Sequence, residues 1–170
     1  FIFGKNSTVN ANTLVASALS ISDNVFNNNG ITKHFNKTGE AALGSDEAEV
    51  TPDPARSMIE VQPGANLKVG KNGRIILAAP TVTNQGNLEA DNNGQIIMVA
   101  SKDKVYLAEN NAKESIVNTD FSGLLVEVGS GGRVDNLGNV LARQGNVTLA
   151  GFAVNQKGRV TATTSARVNG

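Results

Sequence analysis

The sequence predicts an all-β solenoid, in which short strands stack in coils of about 20 to 21 residues. Three features point to this fold: apolar residues that recur at a fixed shift, alternation of apolar and other residues within short segments, and Gly or Asn between those segments. The 170 residues suffice for one domain with a sizeable core. Because aromatic residues make up only 4% and Trp is absent, that core must be narrow and aliphatic.

The fixed shift is clearest from Leu67 to Ala100, a stretch that matches itself when moved by about 21 residues. Like residues then coincide: Gly73 with Gly94, Ile75 with Ile96, Leu77 with Met98. Gly138, Val140 and Ala142 likewise return about 20 residues later as Gly158, Val160 and Ala162. Coils stacked about 4.8 Å apart would produce such matching, which a β-sandwich, the alternative fold, does not require.

A shorter unit begins with Asn and passes through Gly and an apolar residue to Ala. It occurs at 84–90, 136–142 and 155–162. Apolar residues alternate in pairs such as Ile75 and Leu77, or Val147 and Leu149, and period two indicates strands with one inward face. Asn and Gly tolerate positive φ, so they suit the corners between strands.

Two segments break the period, at 23–56 and 102–123, and we interpret them as excursions from a single β-helical domain spanning 1–170. Within the second, 104–107 and 115–117 are expected to pair as a hairpin. Arg56–Val61 and Leu124–Val128 alternate and are expected to form further coils. Insertions of this kind often carry the binding face of a repeat protein.

Composition excludes several classes of function. Fifteen basic and fifteen acidic residues balance, which argues against a nucleic-acid partner. No cysteine is present, so disulfides and cysteine metal sites are excluded. No apolar run approaches the roughly 20 residues of a membrane helix. The chain opens on Phe1-Ile2-Phe3 without Met, and we expect it to be a piece of a longer protein.

Candidate chemical sites are few. His34, the single histidine, lies in a polar stretch and is expected to be a surface residue. The acidic cluster of Asp46, Glu47 and Glu49 lacks the spacing of a calcium loop. Residues expected to face outward are mixed in charge and offer no carboxylate pair for glycoside cleavage: Lys68, Arg74, Glu89, Gln95, Arg143 and Thr148. We therefore predict no catalytic, cofactor-binding or metal-binding residues and no enzymatic activity.

The opening of the chain carries a family resemblance. Phe3-Gly4-Lys5-Asn6-Ser7-Thr8-Val9-Asn10, followed by Leu14-Val15-Ala16-Ser17-Ala18-Leu19-Ser20-Ile21, resembles the filamentous haemagglutinin family. The closest likeness is to the two-partner secretion domain of TpsA-type exoproteins, and the glycine and valine series at 132–149 is also typical of it. The family's Asn-Pro-Asn-Gly and Asn-Pro-Asn-Leu motifs are absent, so the resemblance is to a fragment that lacks the amino-terminal cap.

The resemblance implies a right-handed parallel β-helix with hairpins outside the helix. It also implies export through the periplasm and outer membrane to the bacterial surface, where such adhesins bind host-cell glycans or receptors and contribute to virulence. An outer-membrane TpsB-type transporter would recognise the domain through periplasmic POTRA modules, and the domain would seed folding of the fibre. The residues expected to contact the transporter are Phe3, Gly4, Lys5, Asn6, Asn10, Leu14, Val15, Ala16, Ser17 and Leu19. The alternatives are a carbohydrate-active β-helix enzyme and a passive stalk segment of an adhesin.

Overall fold

The computed structural model describes residues 1–34, 40–44, 57–109 and 123–163. In these residues the chain is almost entirely β-structure, and most strand pairs are parallel. The exception to the strands is one π-helical turn at Val25–Asn29. Within the same residues, none of the helical structure has the length and apolar character needed to cross a membrane.

Three parallel sheets, which we name A, B and C, contain fourteen of the strands. Sheet A runs in the order β1 (Ile2–Phe3), β5 (Met58–Val61), β8 (Thr81–Asn84), β13 (Arg133–Asn136), β16 (Ala153–Gln156). Sheet B runs in the order β2 (Thr8–Ala11), β6 (Asn66–Val69), β9 (Asn87–Ala90), β14 (Asn139–Arg143), β17 (Arg159–Thr163). Sheet C runs in the order β3 (Leu14–Ser17), β7 (Arg74–Ala79), β10 (Gln95–Ala100), β15 (Asn146–Ala150).

The chain enters sheets A, B and C in turn, and we call each set of consecutive strands a layer. Layer 1 is β1–β3, layer 2 is β5–β7, layer 3 is β8–β10, layer 4 is β13–β15, and layer 5 is β16 and β17. Between layers 1 and 2 lies β4 (Lys33–His34), and between layers 3 and 4 lie β11 (Val105–Glu109) and β12 (Leu124–Val128). These three strands form an antiparallel sheet D in the order β12-β11-β4.

Strand register confirms the repeat residue by residue. Leu67 pairs with Leu88 and Ile75 with Ile96, at the shift seen in the sequence. The later shift is also confirmed, since Val140 pairs with Val160. The Asn155 that begins the third unit is not the counterpart of Asn136: Asn136 pairs with Gln156, while Asn155 lies one position earlier, on the outward side, opposite Asp135.

The inward side chains of sheets A, B and C form one aliphatic core. We call residues at the same position of neighbouring strands a column. In the sheet B column, Leu67, Leu88 and Val140 are each about 1% exposed, and the same core contains Ile75 and Met98. Each such side chain contributes about 1.5–3 kcal/mol on burial, and the partly buried ring of Phe3 packs against this otherwise aliphatic core.

The corners between sheets B and C account for the recurring pairs of an amide residue and glycine at 72–73, 93–94 and 144–145. Asn72, Asn93 and Gln144 occupy the same corner in successive layers, with φ of 59°, 59° and 49°. Asn is the non-glycine residue that adopts this left-handed region most readily. The following residue is always glycine; at Gly145 a Cβ atom would lie 2.0 Å from the carbonyl oxygen of Gly94. Stacked corners thus leave no room for a side chain there.

A second core lies outside sheet C, beneath sheet D. It contains Ile76, Ala78, Ile97 and Val99 from the outward face of sheet C, packed against residues such as Leu107. Leu124–Val128 was expected to be another coil, and that is wrong: it pairs antiparallel with β11. The expected hairpin partner at 115–117 lies outside the described residues.

Candidate interaction surface

The residues expected to contact a transporter form the first layer. Strands β1, β2 and β3 are each the terminal strand of their sheet. Among the described residues, therefore, the outer backbone edge of each strand has no strand partner. Unpaired N–H and C=O groups on such an edge are a template for another strand.

Only part of the expected set faces solvent. Lys5, Asn6, Asn10 and Val15 are exposed, and Val15 retains 43% of its accessible surface. A second group is partly buried: Phe3, Gly4, Leu14 and Ser17. The two remaining residues are buried: Ala16 and Leu19. Direct contact is therefore open to the first group, while the others shape the edge from within.

A tight turn presents the exposed residues between β1 and β2. The Ser7 N–H donates to the Gly4 carbonyl at 3.0 Å, and Asn6 takes a φ of 59°. The side chain of Asn6 packs against Gly64 of layer 2, where a Cβ atom would collide with Oδ1 of Asn6. The Lys5 N–H donates to Oε1 of Gln62 at 3.1 Å, which joins the turn to the next layer. The backbone of this turn is therefore fixed, while the side chain of Lys5 points to solvent.

Among the described residues, sheets A and B are also open at their opposite end. Strands β16 and β17 are terminal in those sheets. Val154 and Val160 belong to inward columns, yet they are 42% and 38% exposed. In layers 3 and 4 the column of Val154 is covered, and its members Val82 and Val134 are fully buried. This end thus exposes an aliphatic surface that a further strand layer would bury.

A row of amides crosses the interior near this end. Nδ2 of Asn84 donates to Oδ1 of Asn136 at 2.8 Å, and Nδ2 of Asn136 donates to Oε1 of Gln156 at 2.8 Å. Asn84 and Asn136 are completely buried. The sequence unit identified Asn84 and Asn136 but not their contact with Gln156. The constant two-residue spacing from each of these amides to Gly86, Gly138 and Gly158 was the available signal.

The outward face of sheet B, which we call the open face, is polar. Oε1 of Glu89 lies 3.0 Å from Nζ of Lys68 and 3.3 Å from a guanidinium nitrogen of Arg143. Hydrogen bonding from Lys68, opposed by partial burial and aided by Arg143, lowers the pKa of Glu89. An amide row runs along the same face, with Asn66 and Asn139 exposed and Asn87 partly buried between them.

Two further carboxylates hold loops and neighbouring strands. Burial acts to raise the pKa of Asp103, but hydrogen bonds from the Ser101 hydroxyl and the N–H groups of Ser130 and Lys104 outweigh it, and the pKa is lowered. Burial likewise opposes the effect of Arg133 and Asn155 on Asp135, whose pKa is also lowered. All three carboxylates, including Glu89, are therefore ionised at neutral pH.

In the part of the chain that the structure describes, no group of three or more His, Cys, Asp or Glu residues is placed to hold a metal ion. His34 lies in β4, with its backbone opposite Leu107. The acidic cluster of Asp46, Glu47 and Glu49 lies outside the described residues.

Comparison with known proteins does not place the chain in a family: no family model, curated protein or solved structure matches it.

Proposed function

We propose that this chain is a right-handed parallel β-helix that acts as the secretion and interaction module of a large bacterial adhesin like filamentous haemagglutinin. An outer-membrane TpsB-type transporter would recognise it through periplasmic POTRA modules. The folded module would then seed a β-helical fibre outside the cell, and the complete protein would be secreted or held at the cell surface. No cofactor enters this function.

The observation that carries the proposal is the position of the segment that resembles two-partner secretion domains. Residues 3–17 of that segment form the layer in which all three strands have an open edge. A POTRA module or an adjoining strand layer would find unpaired backbone and an exposed Val15 at the same place. The rest of the segment, through Leu19, anchors this layer to both cores.

The helical path is supported by the rotation of the chain through sheets A, B and C. Columns that join every 20 or 21 residues, such as Asn66 with Asn87, fit one coil per layer. The connection between parallel strands is right-handed in nearly all proteins, which gives the expected hand. Each new coil buries another aliphatic layer, so folding outside the cell would help to draw the chain across the membrane.

The proposed seeding of a fibre is supported by the end of sheets A and B that β16 and β17 form. Val154 and Val160 are exposed where their columns would continue, and β16 and β17 have no strand partner on their outer edges among the described residues. A segment that emerges next could add strands to this end and cover both valines. Their burial would favour addition in register over addition elsewhere.

A glycosidase, one form of the carbohydrate-active alternative, requires a carboxylic acid that is protonated near neutral pH. Glu89, Asp103 and Asp135 have lowered pKa values instead, because each accepts hydrogen bonds from cationic or backbone donors. These three carboxylates suit salt bridges and loop closure better than proton donation.

The decisive test is titration of this chain with the purified POTRA modules of the transporter encoded beside it. Val15→Glu places a charge on the open edge of β3, and we expect at least about a tenfold loss of affinity, a change of about 1.4 kcal/mol. Thr148→Glu is the matched control, because Val15 and Thr148 lie at opposite ends of one outward column through Ile76 and Ile97.

Three outcomes would count against the proposal. Absence of binding by the unmodified chain removes its main support. Equal losses for the two variants place recognition away from the first layer. Binding to a glycan panel without binding to POTRA modules favours a passive stalk, and turnover of a polysaccharide panel favours an enzyme.

The stacking of layer 4 on layer 3, which the β-helix requires, is tested by cross-linking Asn87→Cys with Asn139→Cys. These residues are 52 positions apart, yet Nδ2 of Asn139 donates to Oδ1 of Asn87 at 2.9 Å. Because the chain has no cysteine, any disulfide that forms on oxidation comes from this pair. Pairing Asn87→Cys with Thr161→Cys, whose strand is not adjacent, is the control and should give none.

A further inference from the structure

We propose that Asn72 and Asn93 are deamidation sites that folding masks, so that they react only when the corner between sheets B and C opens. Both side chains are exposed, and each precedes a glycine. In this reaction the glycine nitrogen attacks Cγ of the asparagine, a C–N bond forms, and ammonia leaves. Water then opens the resulting succinimide to aspartate or isoaspartate, so solvent is the only co-reactant.

The fold itself favours this reactive dipeptide. The corner requires a φ of 59° at positions 72 and 93, which favours asparagine. The next residue must be glycine, because a Cβ atom at position 73 would lie 2.1 Å from the carbonyl oxygen of Asn12. At position 94 it would lie 2.8 Å from the carbonyl oxygen of Asp91. A side chain after the asparagine would hinder ring closure, and the stacked corner excludes one.

Hydrogen bonds mask the attacking nitrogen. The Gly73 N–H donates to the Gly70 carbonyl at 2.9 Å, and the Gly94 N–H donates to the Asp91 carbonyl at 2.8 Å. Both glycines are buried. The nitrogen must lose its hydrogen bond and turn towards Cγ before it can attack. Ring closure therefore requires local opening of the corner.

The neighbouring layers hold the asparagines as well. The Asn72 N–H donates to the Asn92 carbonyl at 2.9 Å, and the Asn93 N–H donates to the Arg143 carbonyl at 3.1 Å. Rotation of either peptide would break a contact between layers. Isoaspartate would add a backbone atom and a negative charge at this corner. A chain modified while unfolded would therefore fail to restore these contacts.

The next layer provides an internal control. Gln144-Gly145 occupies the same corner with a φ of 49°. The additional methylene of glutamine makes the ring that would form larger and its closure slower. Gln144 also shows that the corner accepts glutamine, so Asn72→Gln and Asn93→Gln are expected to fold and to lose the modification at the replaced position.

The test compares the rate of modification in native buffer and in urea, with each site resolved by peptide mass mapping. Asn29 and Asn169 also precede glycines, and mapping distinguishes them from the corner residues. In urea we expect modification at both Asn72 and Asn93 and little at Gln144. In native buffer the rate should fall at least about tenfold, equivalent to about 1.4 kcal/mol of opening.

Equal rates in the two solutions would overturn the masking, and absence of modification at Asn72 and Asn93 in urea would overturn the assignment of the sites. Removal of urea after partial reaction gives a second measurement that needs no variant. Molecules with isoaspartate at either site should be depleted from the refolded fraction. An undiminished share of them there would contradict the proposed effect on the layers.

Discussion

The outward faces of sheets B and C belong to the same layers but have opposite chemistry. On sheet C, Ile76 and Ile97 are at most 1% exposed because sheet D covers them. On sheet B, the equivalent face carries Lys68 and Glu89 in water. The inward columns of both sheets are alike. The outward residues therefore decide whether a face stays open or receives a second layer of structure.

The largest expected difference between the two faces is in stability. Ile97→Ala should lower the free energy of unfolding by about 2–5 kcal/mol, because it leaves a cavity between sheets C and D. Glu89→Ala, in the same layer on the open face, should cost about 1 kcal/mol or less, because its ion pairs are exposed. Urea unfolding of both variants measures the contrast, and similar losses would show that sheet D is not a packed cover.

The amide row in the interior and the amide row on the open face allow the same comparison for hydrogen bonds between side-chain amides. Asn136→Ala leaves the buried Nδ2 of Asn84 without its acceptor, at about 1–3 kcal/mol, whereas water can replace the lost bond to the exposed Gln156. Asn87→Ala interrupts the exposed row of the open face, where water replaces the lost partners, and should cost below about 1 kcal/mol. If thermal or urea unfolding gave equal losses for the two variants, burial would not be the deciding factor.

A fall in pH should reduce stability more through Asp103, in the loop between sheets C and D, than through Glu89 on the open face. The lowered pKa of Asp103 means that its contribution is present above the unfolded pKa and is lost as pH falls through the lower folded value. Asp103→Asn should flatten the loss of stability between about pH 5 and pH 2. Glu89→Gln should flatten it less, since Glu89 relies on solvent-exposed ion pairs. Urea midpoints across this range measure both slopes, and a steeper effect at Glu89 would reverse the ranking.

The smallest effect is expected at Leu141, an apolar residue on the open face. It shares a column with Glu89 and Thr161 and is only partly buried. Leu141→Thr should change the free energy of unfolding by no more than about 0.5 kcal/mol. A loss comparable with that of Ile97→Ala would indicate that something covers this face too.

The stacking of strands was predictable because it rests on local, repeated chemistry. Apolar alternation and glycine spacing were enough to align Leu67 with Leu88 and Ile75 with Ile96. Asn155 stands three residues before its glycine, so the third unit is offset from the others at its first residue. Gln156 stands two residues before Gly158, as Asn136 does before Gly138, and the register follows that spacing.

The cover over sheet C had a signal that the sequence interpretation did not use. Arg74–Ala79 and Gln95–Ala100 are nearly continuous apolar runs, which indicate strands buried on both faces. The strands that cover sheet C were harder to predict from the sequence. Strand β4 pairs with β11 across a large separation in sequence, and neither segment repeats a pattern found elsewhere in the chain. The transporter-binding residues stay a prediction, although their exposure now separates contact candidates from supporting ones.

The buried amide row has a direction. Asn84 and Asn136 both donate towards layer 5, where Gln156 donates to the Gly158 carbonyl of its own layer. On the other side the column continues from Asn84 to Val61, whose side chain has no polar group to offer. Aligned amides polarise one another, so the row favours partners at one terminus over the other. A strand that arrived one residue out of place would set a hydrocarbon or an outward residue against a buried donor. The row therefore favours correct strand alignment. Its removal should permit misaligned assembly even where the folded state survives.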